Sequence, residues 1–249
     1  MRTRQEIETV LELVAAGVND CAISRQTGIP RPTVRDWRRG GGPRLDRHFE
    51  YVAGRDPGLA AELHPVYAYL LGLYLGDGCL SPGPRSVYRL RITLDGAYPG
   101  IVAECKAAIE TLMPNRVNVL TTASRAVEVT AFSKRWIEFF PQHGPGPKHL
   151  RPVRLLPWQQ EITVAHAEQL VRGLIHSDGS RFTNPIRHRG RVYEYPRYTF
   201  CNASVDIRGI FCDHLDILDI PWSRMNERNI SVAQRAAVAR LDEFVGPKA

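Results

Sequence analysis

Apolar residues near the start of the chain recur every three or four positions, which is the spacing of one face of an α-helix. This pattern predicts a helix over residues 6–16, a second from 19 or 20 to about 27, and a third with Pro32 in its first turn, where proline is tolerated. Gly28 separates the last two helices. The trio is typical of a helix-turn-helix, although an ordinary three-helix cap with a solvated basic face would show the same pattern. As a recognition helix, the third would present Arg31, Thr33, Arg35, Arg38 and Arg39.

The pattern changes after residue 65, where alternating and helical segments follow one another in two sets. The first set predicts a strand over 87–94, a helix over 101–112, strands over 116–121 and 126–131, and a helix over 133–140. The second predicts a basic loop over 180–196, a strand over 197–202, a helix over 205–218, strands over 222–226 and 229–233, and a helix over 235–245. The predicted domains are therefore a helical unit over 1–43, a linker over 44–65 and a two-repeat unit over 66–249, with repeats 66–150 and 151–249.

Two segments of the second unit repeat one another: LLGLYLGDG at Leu70–Gly78 and VRGLIHSDG at Val171–Gly179. Both keep a glycine, a leucine and a final Asp-Gly at the same places, and each predicts a helix that ends at its aspartate. Small residues stand four positions apart in each copy, which places them on one helical face and lets two helix backbones approach closely. The residues of this face are Gly72, Gly76, Gly173 and Ser177.

The two aspartates, Asp77 and Asp178, would meet at adjacent C-termini if these helices pack side by side in parallel. Helix dipoles already place partial negative charge there, so two carboxylates are unfavourable unless a cation joins them. Hard divalent cations with oxygen ligands suit such a site. Gly78 and Gly179 are expected in the left-handed conformation that ends a helix. Asp-Gly is also a common helix stop, but its recurrence in matching frames makes that the weaker explanation.

The paired segments resemble the motif of the LAGLIDADG homing endonucleases, in the form where one chain carries both copies. The resemblance extends from about residue 67 to the C-terminus, and it departs from the family name at Leu75, Arg172 and His176. It implies an α+β fold: a duplicated αββαββα unit with pseudo-two-fold symmetry, whose four-stranded sheets form a saddle on DNA. A small all-α helix-turn-helix domain would precede this unit.

The resemblance also implies a function, sequence-specific hydrolysis of double-stranded DNA by a monomer with Mg²⁺ or Mn²⁺ as cofactor. Asp77 and Asp178 would hold the metal, with added ligands from the backbone carbonyls of Gly76 and Ser177.

A Pro-Lys pair follows each aspartate at nearly the same distance, so Lys148 and Lys248 are candidate catalytic residues that supply positive charge. An equally good explanation is that Gly-Pro-Lys merely closes the last helix of each half. Arginines that alternate with apolar residues in a strand share one face, which can lie on DNA. The candidate DNA contacts of this unit are Arg89, Arg91, Arg181, Arg187, Arg189, Arg191 and Arg197.

Composition favours an anionic partner. The 33 basic residues exceed the 26 acidic ones, and the net charge is +7, which favours nucleic acid. Five scattered cysteines show no metal-binding spacing and suit a reducing compartment. The polar N-terminus and the short apolar run at Val66–Leu75 predict a cytoplasmic protein that does not span a membrane.

Two other classes of function stay open. The DNA-binding fold also resembles that of sporulation regulators that join a LAGLIDADG-like domain to a helix-turn-helix and have lost the acidic residues. A non-cleaving transcriptional regulator is therefore the alternative, although Asp77 and Asp178 favour the nuclease because both carboxylates are present. A purely structural or protein-binding module fits poorly with the basic charge and the doubled motif.

Overall fold

The computed structural model describes residues 4–40, 55–123, 125–188 and 190–246. The chain divides into two compact units, Met1–Val52 and Ala53–Ala249. Most of the predicted linker, at 44–54, lies outside the described residues, as do Arg189 and Lys248. Among the described helices, none has the length and apolar character that a membrane span requires.

The described part of the first unit consists of three helices: α1 (Arg4–Ala15), α2 (Asp20–Thr27) and α3 (Arg31–Gly40). The side chain of Asn19 caps α2 by accepting a hydrogen bond from the backbone N–H of Ala22 at 3.0 Å. Gly28 ends this helix in the left-handed conformation, with φ +68°, which glycine adopts without a steric penalty. The apolar positions converge on a small core of Val10, Ile23, Ile29, Val34 and Trp37.

The second unit contains two halves with the same order of elements. The first half consists of α4 (His64–Asp77), β1 (Gly78–Pro82), β2 (Tyr88–Asp95), α5 (Pro99–Leu112), β3 (Val117–Thr121), β4 (Ala126–Ser133) and α6 (Trp136–Phe139). After the connecting helix α7 (Pro157–Ala165), the second half consists of α8 (Ala167–Asp178), β5 (Gly179–His188), β6 (Arg191–Cys201), α9 (Val205–Ile217), β7 (Ser223–Arg224), β8 (Asn229–Val232) and α10 (Arg235–Val245). Each half is therefore an αββαββα unit.

Each half forms one four-stranded antiparallel sheet, and the strand orders β1-β2-β4-β3 and β5-β6-β8-β7 are equivalent. One face of each sheet packs on the helices. In the first sheet Leu90 faces this side, whereas Arg89 and Arg91 lie on the opposite, outer face, as the alternation predicts. In the second sheet Phe200 stacks on Phe211 of α9, with 4.3 Å between the ring centroids.

Some local predictions were wrong. The basic segment predicted as a loop over 180–196 is a long hairpin, whose strands pair from Gly179 with Phe200 to His188 with Arg191. The pattern predicts no strand between Gly78 and residue 87, but Gly78–Pro82 forms β1. The sequence of β1 shows no clear alternation of apolar and polar residues because this strand has only 5 residues. The β5–β6 hairpin shows none because its outer part is exposed on both faces. The segment 133–140 is α-helical only over Trp136–Phe139, and the pattern does not predict α7.

Candidate metal centre and nucleic-acid interface

The two repeated segments form the central pair of helices, α4 and α8, whose backbones are in contact through glycine. A Cβ atom added to Gly72 would lie 2.5 Å from the carbonyl oxygen of Leu170 and 2.8 Å from the backbone nitrogen of Leu174. One added to Gly173 would lie 3.0 Å from the Cα of Gly72. A side chain at either position would force the helices apart, so the absence of Cβ permits this close approach. These glycines form the seam between the two halves.

The seam continues one turn later at Gly76 and Ser177. A Cβ atom at Gly76 would lie 2.6 Å from the Cβ of Ser177. The Ser177 hydroxyl donates to the carbonyl oxygens of Leu174 and Gly173 in its own helix, at 2.9 and 3.2 Å, so its hydrogen bonding is satisfied within α8. Gly72 thus meets Gly173, and one turn later Gly76 meets Ser177, which are equivalent positions of the two repeats. The helices are therefore parallel, and their C-termini are adjacent.

The glycines that follow the motif, Gly78 and Gly179, do not have the predicted left-handed conformation. Their φ angles are −90° and −96° and their ψ angles 151° and 162°, which is extended backbone. A Cβ atom at Gly78 would lie 2.5 Å from the Cα of Tyr74, and one at Gly179 would lie 2.7 Å from the Cα of Ile175. The chain passes directly from helix to strand, so each glycine lies against the last turn of its own helix, where a side chain has no room.

Asp77 and Asp178 end the two helices beside the seam. A Cβ atom at Gly76 would lie 2.9 Å from Oδ2 of Asp178, so this carboxylate lies against the last turn of α4. The same oxygen accepts a hydrogen bond from Nδ2 of Asn202 at 2.6 Å. The partial negative charge of the helix carbonyls adds to that of the two carboxylates, so the site favours a cation.

The ammonium group of Lys148 places a positive charge at this site, and the residue lies in a 3₁₀ turn at Lys148–Leu150. Its ammonium group donates to carbonyl oxygens in the last turn of α4, at 3.0 Å for Leu75 and 3.3 Å for Gly76, and also to that of Tyr74. Burial lowers the pKa of Lys148 to about 8, while the carboxylates of the two motif aspartates act to raise it. Lys148 therefore caps the C-terminus of α4 and interacts electrostatically with both halves of the site.

The oxygen atoms at the seam are of the kind that Mg²⁺ and Mn²⁺ prefer. The described residues contain no group of three or more histidine, cysteine, aspartate or glutamate side chains that could hold a metal ion. A cation here would therefore complete its coordination with carbonyl oxygens, water or a phosphate, which is usual for Mg²⁺ bound by one or two carboxylates. Asp77, Asp178 and the carbonyl of Gly76 fit such a cation. The Ser177 hydroxyl donates its proton within α8, and the backbone carbonyl of this residue, near the end of the helix, also fits such a cation.

The outer face of the first sheet brings two candidate arginines together around a carboxylate. The guanidinium groups of Arg89 and Arg91 lie 3.0 and 3.4 Å from the carboxylate oxygens of Glu128 in β4. The two arginine side chains stay 38% and 41% exposed, so their other N–H groups can reach a ligand. The exposed Phe132 lies across from Arg89 on the same face. This cluster holds one net positive charge and orients both arginines.

The second sheet divides its candidate arginines between two faces. Arg181 pairs in register with Tyr198, which faces the helices, and its guanidinium group donates to both carboxylate oxygens of Asp242 in α10, at 2.6 and 2.8 Å. Arg187 lies on this same face by alternation, whereas Arg191 and Arg197 lie on the outer face. Arg181 therefore leaves the set of candidate DNA contacts, because its side chain joins the sheet to α10.

A row of hydroxyl groups crosses the outer face of the second sheet, formed by Ser180, Thr199, Ser231 and Ser223. The Oγ of Ser180 and the Oγ1 of Thr199 are 2.7 Å apart. The corresponding row of the first sheet is formed by Cys79, Arg91, Thr130 and Asn118. One row contains a charged guanidinium and the other only neutral hydroxyls, so the two outer faces are not chemically equivalent.

The candidate arginines of α3 fall into two groups. Arg38 donates from Nε to Oδ1 of Asp20 at 2.7 Å and also to the carbonyl oxygen of Val18, which fixes α3 against the start of α2. Arg35 also pairs with this aspartate, with its Nε 3.8 Å from Oδ2 of Asp20. Arg31 and Arg39 are exposed, while Thr33 is half-buried. The exposed arginines give the first unit a basic surface.

Three residues with clear roles here do not stand out in the sequence. Asn202 donates to Asp178, Glu128 orients two arginines, and Asp242 binds Arg181. The alternation in β4 could place Glu128 on the outer face, but not beside its partners. Each contact joins residues that are distant in the chain, so no local pattern reveals it.

The two halves and their aspartate-ended helices define a class of fold that solved structures share. The chain is similar to the crystal structure of the homing endonuclease I-DmoI in complex with DNA and Mn, with a TM-score of 0.50, 14% sequence identity, and coverage of 74% of this chain and 98% of that chain. Similar structures also include the N-terminal LAGLIDADG domain of DUF199/WhiA, with a TM-score of 0.45, 13% identity, and coverage of 82% and 90%. The LAGLIDADG meganuclease I-AabMI bound to uncleaved DNA has a TM-score of 0.47, 10% identity, and coverage of 72% and 82%.

The sequence matches no protein-family model and no curated protein. At the identity found, the likeness to I-DmoI shows the fold. The chain therefore has the duplicated LAGLIDADG fold that its repeated motif predicts.

Proposed function

We propose that this protein is a divalent-metal-dependent endonuclease that hydrolyses both strands of double-stranded DNA at a specific sequence. The observation that supports this most is the position of Asp77 and Asp178 at adjacent C-termini of two helices whose backbones touch. Each half supplies one aspartate and one sheet, so a single chain can act on two strands as a monomer. I-DmoI, which shares the fold, has been crystallised with DNA and Mn.

In this proposal Asp77 and Asp178 hold Mg²⁺ or Mn²⁺, together with the backbone carbonyls of Gly76 and Ser177. When bound, the metal activates water and stabilises the leaving oxygen. Lys148 lies at the end of α4, where its ammonium group adds positive charge close to the developing charge of a phosphate. Lys248 is proposed for the same role in the second half, from its place in the repeat.

The outer faces of the two sheets are the proposed DNA-binding surface. The β5–β6 hairpin extends beyond β8, which pairs only with Tyr198 to Cys201, and a two-stranded ribbon of this kind fits the major groove. The Nε atom of Arg197 on this face is buried and has no hydrogen-bond partner in the described part of the chain, a cost that rotation of this side chain toward an acceptor on DNA would remove. Because the two faces differ in charge beside the seam, we expect the target sequence not to be palindromic.

A transcriptional regulator that binds DNA without cutting it is the second candidate function. The ammonium group of Lys148 favours it, because this group binds the carbonyl of Gly76 and is influenced by both aspartates. The negative charge at the seam is thus partly offset without a metal ion. The DNA-binding surface would be the same for either function.

Selection followed by cleavage distinguishes the two functions. The full chain would select duplexes from a random library in Ca²⁺, and a plasmid that contains the selected sequence would then be incubated with Mg²⁺ or Mn²⁺. Nicked and linear plasmid is expected for the nuclease, whereas bound but intact plasmid would identify the regulator. Failure to enrich any duplex would contradict DNA binding itself.

Binding of the selected duplex is expected to weaken steeply with salt. Each phosphate that an arginine neutralises releases condensed counterions, so about six such contacts would lower the affinity by about a thousandfold between 50 and 200 mM salt. Fluorescence anisotropy of a labelled duplex over a series of salt concentrations measures this slope. A flat dependence would count against a nucleic-acid partner.

We further propose that the first unit is a DNA-binding helix-turn-helix whose recognition helix is α3. Replacing Arg31 and Arg39 together by alanine in the full chain should shorten the footprint and reduce the salt slope by about 2, one for each lost phosphate contact. Arg38→Ala provides the contrast, because its guanidinium group is engaged with Asp20. It should instead destabilise the three-helix unit by about 1 kcal/mol. An unchanged footprint and slope in the double variant would rule out this assignment.

A further inference from the structure

Asn202 follows β6 directly, and its backbone N–H, backbone carbonyl and both side-chain polar atoms all form hydrogen bonds. Its backbone N–H donates to the carbonyl oxygen of Arg228 at 3.1 Å, and its own carbonyl accepts from the guanidinium group of Arg208 at 2.5 Å. Its side-chain Oδ1 accepts from the backbone N–H of Ser204 at 2.7 Å. The side-chain amide nitrogen then donates to Oδ2 of Asp178 at 2.6 Å. The amide is thus a preorganised donor aimed at one oxygen of this carboxylate.

The first half has no asparagine at the equivalent position. Gly78 pairs in register with Ile92, and Gly179 pairs with Phe200, so the residue two places further along is Leu94 in one half and Asn202 in the other. Leu94 is buried and apolar, and it has no donor to offer a carboxylate. At this register position the second half therefore has an amide donor and the first half an apolar side chain.

We propose that Asn202 is a positioning residue for Asp178, fixing the orientation in which this carboxylate meets a divalent cation. The assignment rests on the proposed metal-dependent function. Hydrogen bonds to a metal-binding carboxylate set its orientation and its strength as a ligand, and removing one typically costs a factor of ten or more in metal affinity. Cleavage of the strand served by Asp178 is then expected to depend on Asn202 through this hydrogen bond.

The test uses Ca²⁺ as a probe of the site with the selected duplex and the full chain. The measured quantity is the Ca²⁺ concentration at which the increase in duplex affinity is half-maximal. Asn202→Ala should raise this concentration about tenfold, because the donor that orients Asp178 is lost. Asn202→Asp should lower it, because a second carboxylate beside Asp178 attracts the cation while Oδ1 can still accept from Ser204.

Ser204→Ala is the matched control. It removes the side-chain cap of α9, which accepts from the backbone N–H of Ile207 at 3.4 Å, without touching Asp178. It should lower the melting temperature and leave the Ca²⁺ dependence unchanged. A purely structural role for Asn202 would instead shift both of its variants in the same direction, together with Ser204→Ala.

The outcomes separate the two proposals. If the wild type responds to Ca²⁺ and the two Asn202 variants do not shift in opposite directions, the positioning role is overturned while the metal site stands. If the wild type shows no Ca²⁺ dependence and no cleavage with Mg²⁺ or Mn²⁺, the metal-dependent function fails, and the role of Asn202 fails with it. If the wild type cleaves DNA, nicked plasmid is also expected to accumulate with Asn202→Ala at low Mg²⁺, because cleavage of one strand is slowed.

Discussion

Replacing Asp77 or Asp178 by asparagine is expected to slow cleavage of at least one DNA strand by about a hundredfold or more. Asparagine preserves the size of the side chain, but its neutral amide is a poor ligand for a hard divalent cation. The measurement is the rate at which supercoiled plasmid with the selected site becomes nicked and then linear in Mg²⁺. Nicked plasmid should accumulate with each single variant if each aspartate serves mainly one strand.

The same variants should bind the duplex as well as the wild type or more tightly, because a negative charge next to the phosphates has been removed. In Asp178→Asn the side-chain oxygen can still accept from Asn202, so the local hydrogen bond is kept. Asp213→Asn is the matched control, since Asp213 is exposed on α9 and the same change of charge there should leave the cleavage rate unchanged. Cleavage by the double variant of Asp77 and Asp178 at the wild-type rate would rule out both as metal ligands.

Substitution of Gly72 by alanine is expected to lower the free energy of unfolding of the second unit by about 3 kcal/mol, at the upper end of the usual cost of overpacking. The added methyl group would lie 2.5 Å from the carbonyl oxygen of Leu170 and 2.8 Å from the backbone nitrogen of Leu174, and backbone atoms cannot rotate away. Relief requires α4 and α8 to separate. Because this also moves Asp77 relative to Asp178, cleavage should fall as well. Urea unfolding followed by circular dichroism measures the change in stability.

Gly209→Ala is the matched control for the seam. Gly209 lies within α9, and an added Cβ atom would meet nothing within 4 Å. Alanine in a helix is more stable than glycine by about 0.5–1 kcal/mol, so this variant should be stabilised. Similar effects of alanine at Gly72 and at Gly209 would show that the central helices are not held by backbone contact.

The sequence predicts helices well where the spacing of apolar residues agrees with the capping residues at the ends. Helix α10 spans Arg235–Val245, as the pattern predicts, and α2 begins and ends at its asparagine cap and Gly28. The repeated segments also predict two helices that can pack closely through a face of small residues, because the spacing of these residues places them on one side of each helix. Periodicity fails for the β5–β6 hairpin, since a ribbon exposed on both faces needs no alternation of apolar and polar residues.

The sequence alone therefore determined the duplication and the seam that brings Asp77 and Asp178 together, since these follow from local spacing and from the match between two segments. The α+β class followed from the resemblance that the paired segments carry. Only the tertiary structure decided which arginines of the β5–β6 hairpin face outward, because a one-residue change of register moves a side chain such as Arg181 to the other face of its sheet. It also decided that Gly78 is extended against its own helix, that Lys148 caps α4, and that Asn202 holds Asp178. These contacts depend on distances between residues that are remote in the chain, and no local pattern of polarity encodes such distances.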